Sequence, residues 1–221
     1  ADTGMDVLTH ATEAYTSNFA NDYTDGIALQ TIKLVFQYLE KSVLTGDPEA
    51  REKIHNASTM AGMAFANAFL GMSHSMAHKI GGRFHTVHGR TNAILLPYVI
   101  RYNGTRPSKT TTWPKYNYWK ADEKFQDIAR MLGLPHSTPE EAVAAYAKAV
   151  YELGEKVGIK MNFKDQGIDE QEWKKYTHEL ALLAYEDQCS PANPRLPMVA
   201  DMEEIMNDAY YGYKERPGRI K

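Results

Sequence analysis

A hydrophobic period of three to four residues, repeatedly broken and restarted by helix caps, constrains the fold of this chain more than any other feature. From Asp25 to Val43, the residues Ile27, Ile32, Val35, Phe36 and Leu39 fall close to one face of a helix. Gly46-Asp47-Pro48 then restarts a helix, with Asp47 as N-cap and Pro48 in the first turn. The run from Glu49 to Leu70 is rich in Ala, Gly, Ser and Met. Small residues nearly all round predict a central helix packed closely on several sides. Gly71 interrupts that run, and Gly81-Gly82 is expected to stop the helical turn after it.

Downstream, Asn92 to Ile100 (NAILLPYVI) reads as a helix bent near Pro97, and 104–120 as an irregular, Thr-rich loop carrying Pro107 and Pro114. An amphipathic helix covers Asp122 to Leu132 and ends at Gly133. Thr138-Pro139-Glu140-Glu141 has the pattern of a capping box and launches a helix to about Val157; Asp169 to Glu172 repeats the logic for a helix to Glu186. The stretch PANPRLPMVADMEEIMNDAYYG gives a Pro-rich turn and one last helix. There are no repeats, no strand–helix alternation, and no GxGxxG or P-loop. The fold class is therefore all-α, a multi-helix domain over 1–221.

The charge balance excludes several functions. A net charge of -3 with no Lys/Arg run leaves no nucleic-acid surface. No apolar stretch approaches the roughly 20 residues that span a bilayer. The start, ADTGMDVLTH, lacks a signal-peptide pattern. It also lacks an initiator Met and opens just before an apolar-periodic run, which reads as a cut at a domain boundary. A lone cysteine, Cys189, allows no internal disulfide and points to a reducing cytoplasm; it reads as a buried thiol rather than a nucleophile.

Four of the eight histidines crowd into Gly71–Gly89, GMSHSMAHKIGGRFHTVHG. His74 and His78 are four apart and share a helical face, and His88 follows beyond the two glycines. Near the start, Asp6 and His10 repeat the i, i+4 spacing, with Glu13 on a nearby row. Three imidazoles and one carboxylate suit a divalent Fe or Zn ion. Such a complex carries about one net positive charge, which an arriving alkoxide would neutralise. The alternative is hydrogen-bonded core histidines. HExxH is excluded, because Ser75 follows His74 and no general base is supplied.

The stretches GMDVLTHATEAY and AGMAFANAFLGMSHSMAHKIGGRFHTVHGRTNAILLPYVIRYN resemble the iron-dependent (group III) alcohol dehydrogenases. Within that family the similarity is greatest to the C-terminal alcohol dehydrogenase part of the bifunctional aldehyde-alcohol dehydrogenases. NDYTDGIALQTIKLVFQYL, WPKYNYW, KDQGIDEQEW and YEDQCSPANPRLP support it. The resemblance implies Asp6, His10, His74 and His88 as metal ligands, in a D-x3-H plus H-x3-H-x9-H pattern. It implies that His78 is no ligand but a catalytic, proton-handling group near nicotinamide and substrate. His85 matches a histidine common in the bifunctional subgroup and receives no role.

The implied reaction is reversible hydride transfer between a primary alcohol such as ethanol and NAD, with Fe2+ (or Zn2+) as Lewis acid on the alcohol oxygen. NAD would be held by an N-terminal nucleotide-binding domain absent from this chain, so the fragment alone is expected to be inactive. A homo-oligomer is implied for the full enzyme. A zinc polyol dehydrogenase-like domain and a non-catalytic helical assembly module are the competing readings. Four positions depart from the family: Thr12 for an apolar residue, Val87 for Pro, Tyr98 for His and Thr91 for Ala. Val87 is expected to loosen the loop that aims His88. Trp113, Tyr118 and Trp119 read as loop anchors. His55, His136 and His178 read as surface or structural.

Overall fold

The computed structural model describes residues 1–107 and 119–212. Among them every regular element is helical: α1 (Asp2–Thr16), α2 (Asp22–Leu44), α3 (Pro48–Ala68), α4 (Met72–Phe84), α5 (His88–Gly104), α6 (Ala121–Met131), α7 (Pro139–Lys156), α8 (Glu170–Tyr185), a 3-10 turn (Ser190–Ala192) and α9 (Val199–Tyr211). The all-α expectation therefore holds. No helix among the described residues is long and apolar enough to cross a membrane. Trp113 and Tyr118 lie outside the described residues, whereas Trp119 is an anchor whose indole donates to the Asn103 carbonyl at 3.2 Å.

The caps act as their residue types dictate. Asn21 accepts from the Tyr23 and Thr24 amides while the Thr24 hydroxyl accepts from the Asn21 amide, so α2 starts three residues before its apolar period. Asp47 accepts from the Ala50 amide at 2.9 Å, with Pro48 beside it. Thr138 caps Glu141, although the Glu141 carboxylate returns to the Ser137 amide rather than to Thr138. Asp169 accepts from the Gln171 and Glu172 amides.

The structure corrects the sequence reading at two places. The central helix is α5, not α3: Thr91 to Ile100 is buried without a gap. Burial of Ile94, Leu95, Leu96, Val99 and Ile100 stabilises the fold by roughly 1.5–3 kcal/mol each. The helix runs on through Pro97, which leaves the Ala93 carbonyl without its usual helical donor. In α3 only Ala50, Ala57, Ala61, Ala64 and Ala68 are buried, and Met63 on another face is 56% exposed. The small side chains form one stripe that lets α3 approach α1 and α2. Composition conceals that stripe, whereas the alanine spacing reveals it.

The second correction concerns Gly81-Gly82, which do not stop α4. Neither adopts a left-handed backbone; the helix ends at His85, whose φ of 55 and ψ of 33 are left-handed. Glycine inside a helix costs about 1 kcal/mol relative to alanine, which packing can offset. Ile80 and Phe84 pack against the core on either side of the pair.

Close approach between α1 and α5 determines what faces what. A Cβ on Gly89 would lie 2.3 Å from the Asp2 carbonyl oxygen and 3.0 Å from the Asp6 Cβ. The guanidinium of Arg90 donates to both Asp2 carboxylate oxygens at 3.0 Å. These contacts fix the register of the two helix starts.

Candidate metal centre

α1, α4 and α5 bring Asp6, His74 and His88 together: one donor atom from each lies within 4.8 Å of the others. Asp6 Oδ1 is 3.7 Å from His74 Nε2 and 3.6 Å from His88 Nε2. These separations are too long for hydrogen bonds. They match two donors of one tetrahedral ion, which stand about 3.3–3.6 Å apart when each is about 2.0–2.2 Å from the metal.

His10, the fourth expected ligand, sits beside this trio but outside it. Its Nδ1 is 3.8 Å from Asp6 Oδ2, and its ring centre is 4.5 Å from that of His74. Phe65 stacks on its other side at 4.6 Å. Burial, reinforced by the neighbouring His74, lowers the His10 imidazole to about 4. Burial also lowers His88, against the pull of Asp6. Both rings are therefore inclined to stay neutral at pH 7, the form that a metal requires.

His74 gives the sharpest test of fit. Its Nδ1 lies 2.6 Å from Glu13 Oε2, so it donates, which in a neutral ring leaves the lone pair on Nε2. That Nε2 is buried with no hydrogen-bond partner. An unpartnered buried polar atom costs about 1–3 kcal/mol, and a cation shared with Asp6 and His88 would satisfy it. The residues present thus fit a divalent ion.

Two further residues support the trio: Glu13, to which the sequence pattern gives a place but no role, and Asn92. Glu13 also accepts from the Gly71 amide at 2.9 Å and the Ser73 amide at 2.6 Å, capping α4 while holding His74. The Asn92 amide donates to Asp6 Oδ1 at 2.9 Å and lies 3.2 Å from His88 Nε2. The signal for Glu13 was available, since Asp6, His10 and Glu13 at i, i+4 and i+7 form one stripe. Nothing local marks Asn92 among the apolar residues of α5.

His78, one turn beyond His74, has its ring 5.5 Å from that of His88 and nearly parallel, at 14°. Its side chain is 34% exposed. His85 is exposed and borders a cleft of about 600 Å³ with Arg83, Thr86, Val87 and Arg90; none of Asp6, His10, His74 or His88 lines that cleft. Cys189 is buried, and burial first, then Asp187, pushes its thiol up to about 12, the opposite of a nucleophile.

The family departures acquire partners. Thr12 shares a 2.6 Å hydrogen bond with the Tyr146 hydroxyl. Val87 has φ of -63 and ψ of 127, a backbone that proline would also adopt. Its carbonyl accepts from the Thr91 hydroxyl at 3.0 Å, and Thr86 and Thr91 are bonded at 2.6 Å. The turn before His88 is thereby pinned by side chains where a proline ring would stiffen it.

Gly89→Ala tests the register. Its methyl would strike backbone rather than a yielding side chain, so α1 and α5 must part and carry Asp6 away from His88. The expected loss is about 1–3 kcal/mol in urea denaturation, with weaker metal uptake. Unchanged stability and uptake would show that the contact is dispensable.

The model for the C-terminal part of the Fe-containing alcohol dehydrogenase family matches residues 1–210. An aldehyde-alcohol dehydrogenase of Streptococcus pneumoniae serotype 2 is 79% identical over all of this chain, which covers 25% of that protein. The bifunctional aldehyde-alcohol dehydrogenase of Escherichia coli K12 is 42% identical over 95% of the chain and is covered to 24%. This chain thus spans about a quarter of these relatives. Among solved structures, a 1,3-propanediol oxidoreductase matches with a TM-score of 0.83 and 36% identity, over 95% of this chain and 51% of that one. The iron-containing alcohol dehydrogenase of Thermococcus thioreducens follows at 0.81 and 35%, over 96% and 50%. A family match running through nearly the whole sequence, on the helices that gather the donors, means that this chain belongs to the Fe-containing alcohol dehydrogenase family and corresponds to its C-terminal part.

Proposed function

We propose that this chain is the metal-binding portion of an NAD-linked alcohol dehydrogenase that interconverts a primary alcohol and its aldehyde, with Asp6, His10, His74 and His88 holding Fe2+. The observation that carries the reading is the buried, unpartnered Nε2 of His74, turned to its lone-pair form by Glu13. Iron is the ion proposed because the matching family is an iron-containing one. Bound there, it supplies Lewis acidity toward the substrate oxygen.

The chain's own groups do the rest. Asp6 contributes the one negative charge of the donor set, and the neutral imidazoles leave the centre cationic, so that an anionic oxygen is attracted. Glu13 holds His74 and Asn92 holds Asp6 in place. His78, half-buried beside His88, passes the proton between substrate oxygen and solvent. The nicotinamide comes from a nucleotide-binding domain packed on this one, and the whole enzyme is a cytoplasmic homo-oligomer. The 221 residues alone bind metal without turning over, since no phosphate-binding glycine loop is present.

The test is anaerobic reconstitution with Fe2+, followed by elemental analysis and an assay of NADH formation from ethanol. One iron per chain, and turnover only with the nucleotide-binding domain attached, is the expected result. A chain that takes up no iron overturns the metal assignment, and steady turnover by the chain alone overturns the division of labour.

A further inference from the structure

The segment YEDQCSPANPRLP lies along α4 and is fastened there at three levels. The side-chain oxygen of Asn193 accepts from the Met72 amide at 3.2 Å. The Ser190 hydroxyl lies 3.0 Å from that of Ser75 and donates to the Ala184 carbonyl at 2.7 Å. At the third level, Asp187 Oδ2 is 3.2 Å from His78 Nδ1 and 2.8 Å from Lys79 Nζ. The other carboxylate oxygen accepts from the Cys189 amide at 3.0 Å.

The Asp187 side chain is only 6% exposed, so these contacts fix its orientation. Burial would raise its carboxyl, but the bonds from Lys79, the Cys189 amide and His78 outweigh that and hold it below the usual carboxylate range. An ionised carboxylate only accepts, so His78 Nδ1 is the donor, which in a neutral ring leaves the lone pair on Nε2. The His, Asp and Cys donors here also lie within 4.8 Å of one another, as a metal site would require. Lys79 already occupies Asp187, however, and the thiol is held protonated, so a second cation is disfavoured.

We infer that Asp187 is a positioning residue for His78: it fixes the imidazole in the tautomer and orientation that leave Nε2 free to take the substrate proton. This rests on the proposed proton-handling role of His78 and deepens it. Asp187→Asn keeps the shape. Its amide can donate to Nδ1 and drive the ring proton onto Nε2, which removes the lone pair.

The experiment is a double-mutant cycle in the iron-loaded enzyme that carries this chain with its nucleotide-binding domain. His78→Ala should lower kcat about 100-fold, within the range of general acid–base catalysis. Asp187→Asn should lower kcat about 10- to 100-fold with KM for alcohol and iron content within about twofold of wild type, and should cost nothing further in the His78→Ala background. Asp187→Glu should recover part of the loss.

An independent readout is the carbethoxylation of His78 in the metal-free enzyme, mapped by mass spectrometry. It should slow several-fold in Asp187→Asn, because Nε2 is the attacking atom. Losses that multiply in the double variant, or an unaltered modification rate, overturn the positioning role. No effect of His78→Ala overturns the role of His78 itself. Should Asp187→Asn fail to fold, Asp187→Glu must show the same coupling to His78→Ala, and its absence counts against the inference.

Discussion

Replacing His74 by alanine is expected to leave the protein without bound iron and, in the enzyme that carries it with its nucleotide-binding domain, without alcohol oxidation. The ring is 1% exposed at its side chain and contributes the one nitrogen among the proposed ligands that is both buried and unpartnered. Without it, Asp6 and His88 remain 3.6 Å apart with His10 at the edge, and the proposed set of four donors falls to three. Iron affinity should fall by more than 100-fold, beyond the 10–100-fold typical of a supporting group.

The most direct measurement is the thermal midpoint with and without Fe2+. Saturating wild type to about 100 times Kd stabilises it by about 2.7 kcal/mol, and the variant should show no shift. A variant that still carries one iron per chain would dismantle the proposed site. In the metal-free state the expected change is smaller, because the cavity left by the ring is partly offset by removing an unsatisfied nitrogen.

The fold was legible wherever a local rule sufficed. Asp47, Thr138 and Asp169 cap the helices that they announce, because capping is a short-range bargain between one side chain and the next turn. The reading failed where tertiary packing decides. Gly81 and Gly82 carry ordinary helix because the residues around them pack into the core. Small residues in α3 mark one close contact rather than burial all round.

The candidate site divides the same way. Asp6, His10, His74 and His88 have a spacing that can be read in the chain, and three of them converge. The distances that join Asn92 to Asp6, or Asp187 to His78, span 86 and 109 positions and leave no local trace.

Glu13→Gln should be the most damaging isosteric change in the molecule. The carboxylate is 2% exposed and receives three donors: the Ser73 amide on Oε1, and the Gly71 amide and His74 Nδ1 on Oε2. Glutamine supplies one acceptor and one NH2. With its oxygen toward Ser73, the NH2 confronts both the Gly71 amide and the His74 ring. The ring can then answer only by moving its proton to Nε2, where a ligand lone pair is needed. With its oxygen toward His74, the tautomer survives but the Ser73 amide faces another donor and is left unsatisfied.

Either way the negative charge at the start of α4 disappears, which alone is worth about 0.3–1 kcal/mol and up to about 2 when partly buried. Together these effects should cost about 3 kcal/mol in urea denaturation of the metal-free protein, the unsatisfied buried group and the lost helix-start charge combined. Iron affinity should fall 10- to 100-fold. The two measurements separate the two jobs of the residue. If stability drops while iron binding is untouched, Glu13 is only the cap of α4 and His74 keeps its tautomer by other means. If iron binding drops with stability, one carboxylate both starts the helix and aims the ligand that the helix carries, and the proposed centre and the α1–α4 packing are one structure.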